Sequence, residues 1–186
     1  VAAGHEIINV DKMTYAANAA NVEDVSGSNL YSFEHVDICD APEIARVFAD
    51  HRPDAVMHLA AESHVDRSID GPGAFIETNL IGTYVLLQAA LKYWESVDRP
   101  HAYRFHHLSN DEVFGSLGGT RMFTEVPPYD PRRPYSAPKA CSDLRVRAWG
   151  ETYGLPVVLQ NCTINYAPSH FPQQLNPTLL CKAYTG

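Results

Sequence analysis

Short apolar runs alternate with longer amphipathic stretches along the chain, and that alternation constrains the fold most. Five runs read as strands, at residues 7–10, 31–36, 55–59, 103–108 and 156–162. The third, Ala55 to Leu59, is nearly continuous in apolar residues, as suits a parallel strand covered on both faces. Between the runs lie helix signals. Asp40-Ala41-Pro42-Glu43 combines a capping Asp, a first-turn Pro and a Glu three residues after the cap. Ile44, Val47 and Phe48 then make the apolar face. A long helix is expected from Pro72 to Trp94, and another from Pro134 to Tyr153, stopped by Gly154 and Pro156. The segments 12–30, 64–68 and 116–133 read as loops. Strands and helices in alternation predict an α/β fold, a Rossmann-like doubly wound parallel sheet.

The 186 residues suffice for one domain with a real core. Net charge is −8, from 14 basic and 22 acidic residues, which disfavours nucleic acid and anionic membranes as partners. No apolar run approaches the roughly 20 residues of a membrane helix, and VAAGHEIINV lacks the pattern of a signal peptide. Cys39, Cys141, Cys162 and Cys181 are scattered, without a paired spacing. The expectation is buried thiols in a reduced, cytoplasmic setting, with no metal site. His106 and His107, adjacent on a strand, point to opposite faces and cannot grip one ion together.

The fourth strand run enters LSNDEVFG, Leu108 to Gly115. In open α/β sheets ligands bind beyond the carboxyl ends of strands, so Asp111 and Glu112 are placed for chemistry. Asp and Asn are also common turn formers, and the balance is tipped by PYSAPK. There Tyr135 and Lys139 stand at i and i+4, on one helix face. A nearby ammonium lowers a phenol's pKa. Such a Tyr can remove a hydroxyl proton as hydride leaves the same carbon, and the Lys can also hold a ribose. Two carboxyls of different acidity suit an elimination, one giving a proton to a leaving hydroxyl and the other taking one from the adjacent carbon. Asp11, at the end of the first strand run, either accepts from a ribose diol or begins a turn. Ala60 and Ala61 are small enough for close approach of a cofactor. Thr78 and Asn79 interrupt an apolar helix face, as satisfied core polars or as cofactor-facing groups.

HLAAESHVDRSI, FIETNLIGTYVLL, DEVFG, PYSAPKA and NCTINYAPSHFP together resemble the dTDP-glucose 4,6-dehydratases, extended short-chain dehydrogenase/reductases acting on nucleotide sugars. The similarity runs from about Asn9 to Leu180, and the Asp-Glu pair separates it from epimerases of similar fold. The resemblance implies NAD as cofactor, dTDP-glucose as substrate, dTDP-4-dehydro-6-deoxyglucose as product and a homodimer. It implies that Tyr135 deprotonates the hydroxyl at carbon 4, Glu112 removes the proton at carbon 5, and Asp111 protonates the hydroxyl leaving carbon 6. It places Asp11, Lys12 and Thr14 at the adenosine ribose, and Asp37 and Ile38 near adenine. Leu59, Ala60, Ala61 and Ser63 would line the phosphate and nicotinamide side, with Thr78, Tyr135, Lys139 and Asn165 completing the cofactor set. Ser63, Asn110 and Ile164 fall at substrate positions. Residues 1–165 correspond to a partial NAD-binding domain, and 166–186 to the start of the substrate-binding region.

Two substitutions depart from the family pattern. Asn110 stands where a Thr is usual, and Ile164 where an Asn contacts substrate. A substrate hydroxyl left unpaired costs about 1–3 kcal/mol. Pro138 is expected to remove about one hydrogen bond from its helix. The family's first strand and Gly-rich turn are not found in these 186 residues, nor is most of its carboxyl-terminal substrate domain. In strand order 3-2-1-4-5-6 the first strand is central, so the runs at Ile7 and Val56 would lack their shared neighbour. The alternatives are another nucleotide-sugar dehydratase or an epimerase, or a non-catalytic remnant of such an enzyme, a fragment or a decayed copy.

Overall fold

A computed structural model describes residues 1–116, 128–163, 165 and 175–185. The chain falls into two compact units, residues 1–35 with 164–186, and residues 36–163.

In the first unit, β1 (Ile7–Val10) runs parallel to β2 (Tyr31–Glu34), with Ile7 opposite Tyr31 and Val10 opposite Glu34. A 3-10 turn at Ala19–Val22 and the short α1 (Glu23–Ser26) connect them. Asn18 starts that turn by accepting the Ala20 N–H. Gly4 adopts φ +82°, a left-handed conformation that favours glycine, and its N–H donates to the Val1 carbonyl.

The second unit holds α2 (Ala41–His51), β3 (Ala55–His58), α3 (Val65–Asp70), α4 (Pro72–Phe75), a π-helical segment Ile76–Gly82, α5 (Thr83–Ser96), β4 (Arg104–Asn110), α6 (Ser136–Tyr153) and β5 (Val157–Cys162). In the first unit again, α7 spans Leu175–Thr185. Strands β3, β4 and β5 form one parallel sheet in that order. Ala55 stands opposite Arg104, and Phe105 opposite Val157. Among the described residues β1 pairs only with β2, and β3 only with β4. The doubly wound pattern is therefore realised as two parallel sheets, of two and three strands.

Side-chain alternation along β4 buries Phe105, His107 and Ser109. Leu87 and Ala90 of α5, Val146 of α6, Val113 and Leu155 complete the core of this unit. Asp40 caps α2 as expected, its carboxylate accepting the Glu43 N–H.

Several expectations are corrected. Residues 65–70 form a helix, because His64 Nδ1 accepts the Arg67 N–H and supplies a cap. The long helix contains a π-helical stretch at Thr78 and Asn79. The Asn79 carbonyl is taken by the hydroxyls of Thr83 and Ser142, and the Thr83 N–H donates to Leu80 instead. α6 begins at Ser136 and not at Pro134, with Pro138 in its first turn, and the Ala137 N–H donates to the Arg133 carbonyl. Cys141 and Cys181 are exposed, not buried. The helical run Pro72–Ser96, 25 residues long, does reach the length and apolar content of a membrane span. Its buried residues, from Phe75 to Trp94, pack in the core, and α5 packs on α2 and α6.

Gly115, at φ +72°, ends the turn after β4, and a Cβ there would lie 2.5 Å from the Asp130 carbonyl oxygen. Gly115→Ala is expected to cost about 1–3 kcal/mol through backbone strain, read as a lower urea midpoint.

Candidate active site

Strand β4 delivers LSNDEVFG to its carboxyl end, and a 3-10 turn, Asp111–Phe114, then raises the two carboxylates. The turn is tied down at Val113. Val113 is fully buried, and its carbonyl accepts the Asp130 N–H at 3.0 Å. Asp111 and Glu112 stay partly exposed. Arg133 Nη1 lies 3.7 Å from Glu112 Oε2, a loose and solvent-screened pair.

Tyr135 immediately precedes α6, and its phenol accepts a hydrogen bond from Asn110 Nδ2. The acid turn, Asn110 and the Tyr are thus one cluster. The phenol is pushed up to about 12, first by burial and then by the Glu112 carboxylate. The sequence expectation was the opposite. Lys139 does not offset these effects, because its Nζ donates to the Leu108 carbonyl at 2.9 Å. Burial lowers the affinity of Lys139 for its proton, and the carboxylate of Asp143 opposes that. The Asn110 Oδ1 and Ser109 Oγ atoms are buried without a hydrogen-bond partner among the described residues.

Behind the pair lies a polar network that the sequence reading missed. Asp143 is fully buried, eight residues after Tyr135 and four after Lys139 on α6. Its Oδ2 accepts from Asn161 Nδ2 at 3.0 Å and from the Tyr129 hydroxyl at 3.2 Å. His107 Nε2 sits 3.2 Å from Oδ1, at an angle off that of a straight hydrogen bond. Asn161 also donates to the Asn110 carbonyl, at 3.2 Å. The one available signal was the i, i+4, i+8 spacing of Tyr135, Lys139 and Asp143.

His58 and His107 are buried with ring centroids 5.0 Å apart. Burial lowers both pKa values; the other imidazole adds to the effect at His58, while Asp143 opposes it at His107. Each ring therefore binds its proton more weakly when folded than when unfolded. Stability held above about pH 6.5 is expected to fall below it, by up to about 1.4 kcal/mol per pH unit for each histidine. Urea midpoints followed by tryptophan fluorescence at pH 7.5 and 5.5 test this; equal midpoints would refute it.

The expected cofactor residues fall in both units. In the first, Asp11 is exposed and its carboxylate accepts the Met13 N–H at 2.6 Å, which is turn chemistry. Lys12 is half-buried, Thr14 exposed, and Asn165 exposed. In the second, Asp37 accepts the Cys39 N–H, and Ile38 is buried, close to Gly82. Leu59 is exposed, and Ala60, Ala61 and Ser63 are half-buried in the segment after β3. Asn79 pins that segment by two bonds, accepting the Glu62 N–H and donating to the Glu62 carbonyl, so it is a satisfied core polar group. Thr78 is buried beside it. Ile164 lies outside the described residues. Among the described residues no cluster of metal-binding side chains occurs.

The family model of GDP-mannose 4,6 dehydratase matches residues 1–186. The chain is 56% identical over 191 residues to dTDP-glucose 4,6-dehydratase 1 of Escherichia coli K12, covering 97% of this chain and 53% of that protein. It is 56% identical over 183 residues to dTDP-glucose 4,6-dehydratase of Neisseria meningitidis serogroup B, covering 97% and 52%. The chain thus spans about half the length of the curated relatives it matches. Among solved structures, the dTDP-glucose 4,6-dehydratase DesIV of Streptomyces venezuelae with NAD bound superposes with TM-score 0.86 at 43% identity, over 96% of this chain and 52% of that one. UDP-glucose 4-epimerase of Thermus thermophilus, in complex with NAD, gives 0.82 at 26%, over 97% and 54%.

Proposed function

The chain belongs to the GDP-mannose 4,6 dehydratase family, and from that premise we propose that it carries the chemistry of an NAD-dependent dTDP-glucose 4,6-dehydratase. The observation that supports this best is the clustering of an acid pair with Asn110 and Tyr135 at the carboxyl end of β4. A plain oxidation or an epimerisation needs no acid pair; an elimination does.

The residues present suit a dinucleotide. A buried lysine donates to the carbonyl of Leu108 on β4, and Asn79 pins the backbone of Glu62, next to small, part-exposed alanines after β3. We assign Asp11, Lys12 and Thr14 to the adenosine ribose, and Asp37 and Ile38 to the adenine side. Leu59, Ala60, Ala61, Ser63, Thr78, Lys139 and Asn165 take the remainder. NAD, when bound, would supply a reversible hydride acceptor, taking the hydride of carbon 4 and giving it back at carbon 6, so that the net change is the loss of one water. Tyr135 takes the proton from the hydroxyl at carbon 4. Glu112 then removes the proton at carbon 5, made acidic by the neighbouring ketone. Asp111 gives a proton to the hydroxyl leaving carbon 6. The product is dTDP-4-dehydro-6-deoxyglucose, a precursor of rhamnose and other deoxysugars. Ser63, Asn110 and Ile164 are the substrate-side positions. We assign residues 1–165 to the NAD-binding domain and 166–186 to the start of the substrate-binding region. A cytoplasmic location fits the free cysteines.

The test is to incubate the protein with NAD and dTDP-glucose and identify the product. A 4-keto-6-deoxy sugar supports the dehydratase. An inverted hydroxyl supports an epimerase, and NAD binding without either product supports a non-catalytic remnant. We also propose a homodimer through α5 and α6, where Tyr84 and Leu144 are exposed large side chains. Sedimentation as a strict monomer would refute it.

A further inference from the structure

We propose that Asp143 is a positioning residue for the Tyr135–Lys139 pair, holding the charge of Lys139 in place and anchoring the strand end that carries Asn110. The inference rests on the reading of Tyr135 and Lys139 as the proton-handling pair.

Three observations carry it. First, Asp143 follows Lys139 by one helical turn on α6, and both side chains are buried. A buried ammonium without a counter-charge is costly and tends to lose its proton. The groups around Lys139 otherwise offer it little negative charge. Leu108 provides a neutral carbonyl, while Asp143 and Cys162 are the groups that favour its charged form. Second, Asp143 Oδ2 is hydrogen-bonded from two elements at once, Asn161 on β5 and Tyr129 before α6, with His107 Nε2 on β4 3.2 Å from Oδ1. A carboxylate so restrained keeps its place on α6, one turn after Lys139. Third, Asn161 spans from Asp143 to the Asn110 carbonyl, and the Asn110 side chain donates to the Tyr135 phenol. One buried carboxylate thereby sets two things at the strand end: the charge state of the Lys and the placement of the amide that meets the Tyr.

The first role distinguishes Asp143 from a merely satisfied core acid. Replacing it with an isosteric neutral group should alter a proton equilibrium at Lys139, which packing alone would not do. His58 and His107 face the same space, and burial disfavours charge on both. An imidazole can carry only positive charge, so neither replaces the counter-charge.

The experiment follows the titration of Lys139 by NMR in protein with carbon-13 at the lysine ε position. The chain has four lysines, Lys12, Lys92, Lys139 and Lys182, and Lys139→Arg identifies the signal. Asp143→Asn is expected to lower the Lys139 midpoint by about one pH unit or more, the size of a lost nearby opposite charge. Asp143→Glu is expected to restore most of it. A midpoint unmoved in a folded Asp143→Asn protein overturns the proposal. If that variant does not fold, Asp143→Asn with Lys139→Met, which removes both charges, is expected to fold better. A double variant no better folded than Asp143→Asn overturns it as well. The lysine titration needs neither NAD nor sugar, so its outcome is independent of whether the protein turns over dTDP-glucose.

Discussion

On the proposed dehydratase reading, Glu112→Gln is expected to cut dehydration of dTDP-glucose by about 10²–10⁴-fold, the usual loss when a positioned acid or base is removed. A second effect of the same change runs the other way. The Glu112 carboxylate helps keep the proton on Tyr135. Its removal should therefore lower the phenol's pKa from about 12 and ease oxidation at carbon 4. The two steps can be read apart. Reduction of bound NAD on mixing reports oxidation, and the 4-keto-6-deoxy product reports elimination. The expected result is a reduced cofactor that accumulates while product does not. Loss of both signals together would place Glu112 in binding and not in the elimination. Tyr135 also sets the pH dependence of the oxidation. With the phenol protonated at neutral pH, the reactive fraction rises about tenfold per pH unit until the pKa is approached. Oxidation that does not quicken with pH would mean the Tyr titrates much lower once ligands bind.

Phe105→Ala carries the largest expected effect on stability. Phe105 is fully buried near the start of β4, where its ring packs on His58 with centroids 6.2 Å apart and its N–H donates to the Pro156 carbonyl. Truncating such a ring typically costs about 3–5 kcal/mol, from lost transfer energy and the cavity left behind. Marginal stability makes that a large share of a domain's total. Urea unfolding followed by circular dichroism measures it; a loss under about 1 kcal/mol would show that the site collapses around the gap. The change also removes the ring packed against His58, so the acid sensitivity expected of that histidine should weaken with it.

Local signals read correctly wherever one element decides its own shape. The strand runs were visible from their apolar content, and the Asp40 cap from its spacing to Glu43. The two ends of β4 were less clear. The reading ended the strand at Leu108, and the structure carries it to Asn110. Ser109 is buried and pairs with Asn161 across the sheet, a cross-strand contact that the run itself does not announce. The stretch at residues 65–70 was missed for a similar reason. Its cap is a histidine ring, which is outside the usual set of capping residues.

For the site, the sequence alone determined which groups could do chemistry: an acid pair after a strand run, and a Tyr and Lys one helical turn apart. Spacing along a helix or strand is enough for that, because it sets which side chains share a face. What only the tertiary structure decided is the state of those groups. Tyr135 is made less acidic because folding buries it near Glu112, while Lys139 points at a backbone carbonyl. Asp143, remote in sequence from His107, Tyr129 and Asn161 by 14 to 36 positions, meets all three only because β4, β5 and α6 pack together. Proton affinities depend on burial and on charges brought close through space, and neither is a property of a stretch of chain read by itself.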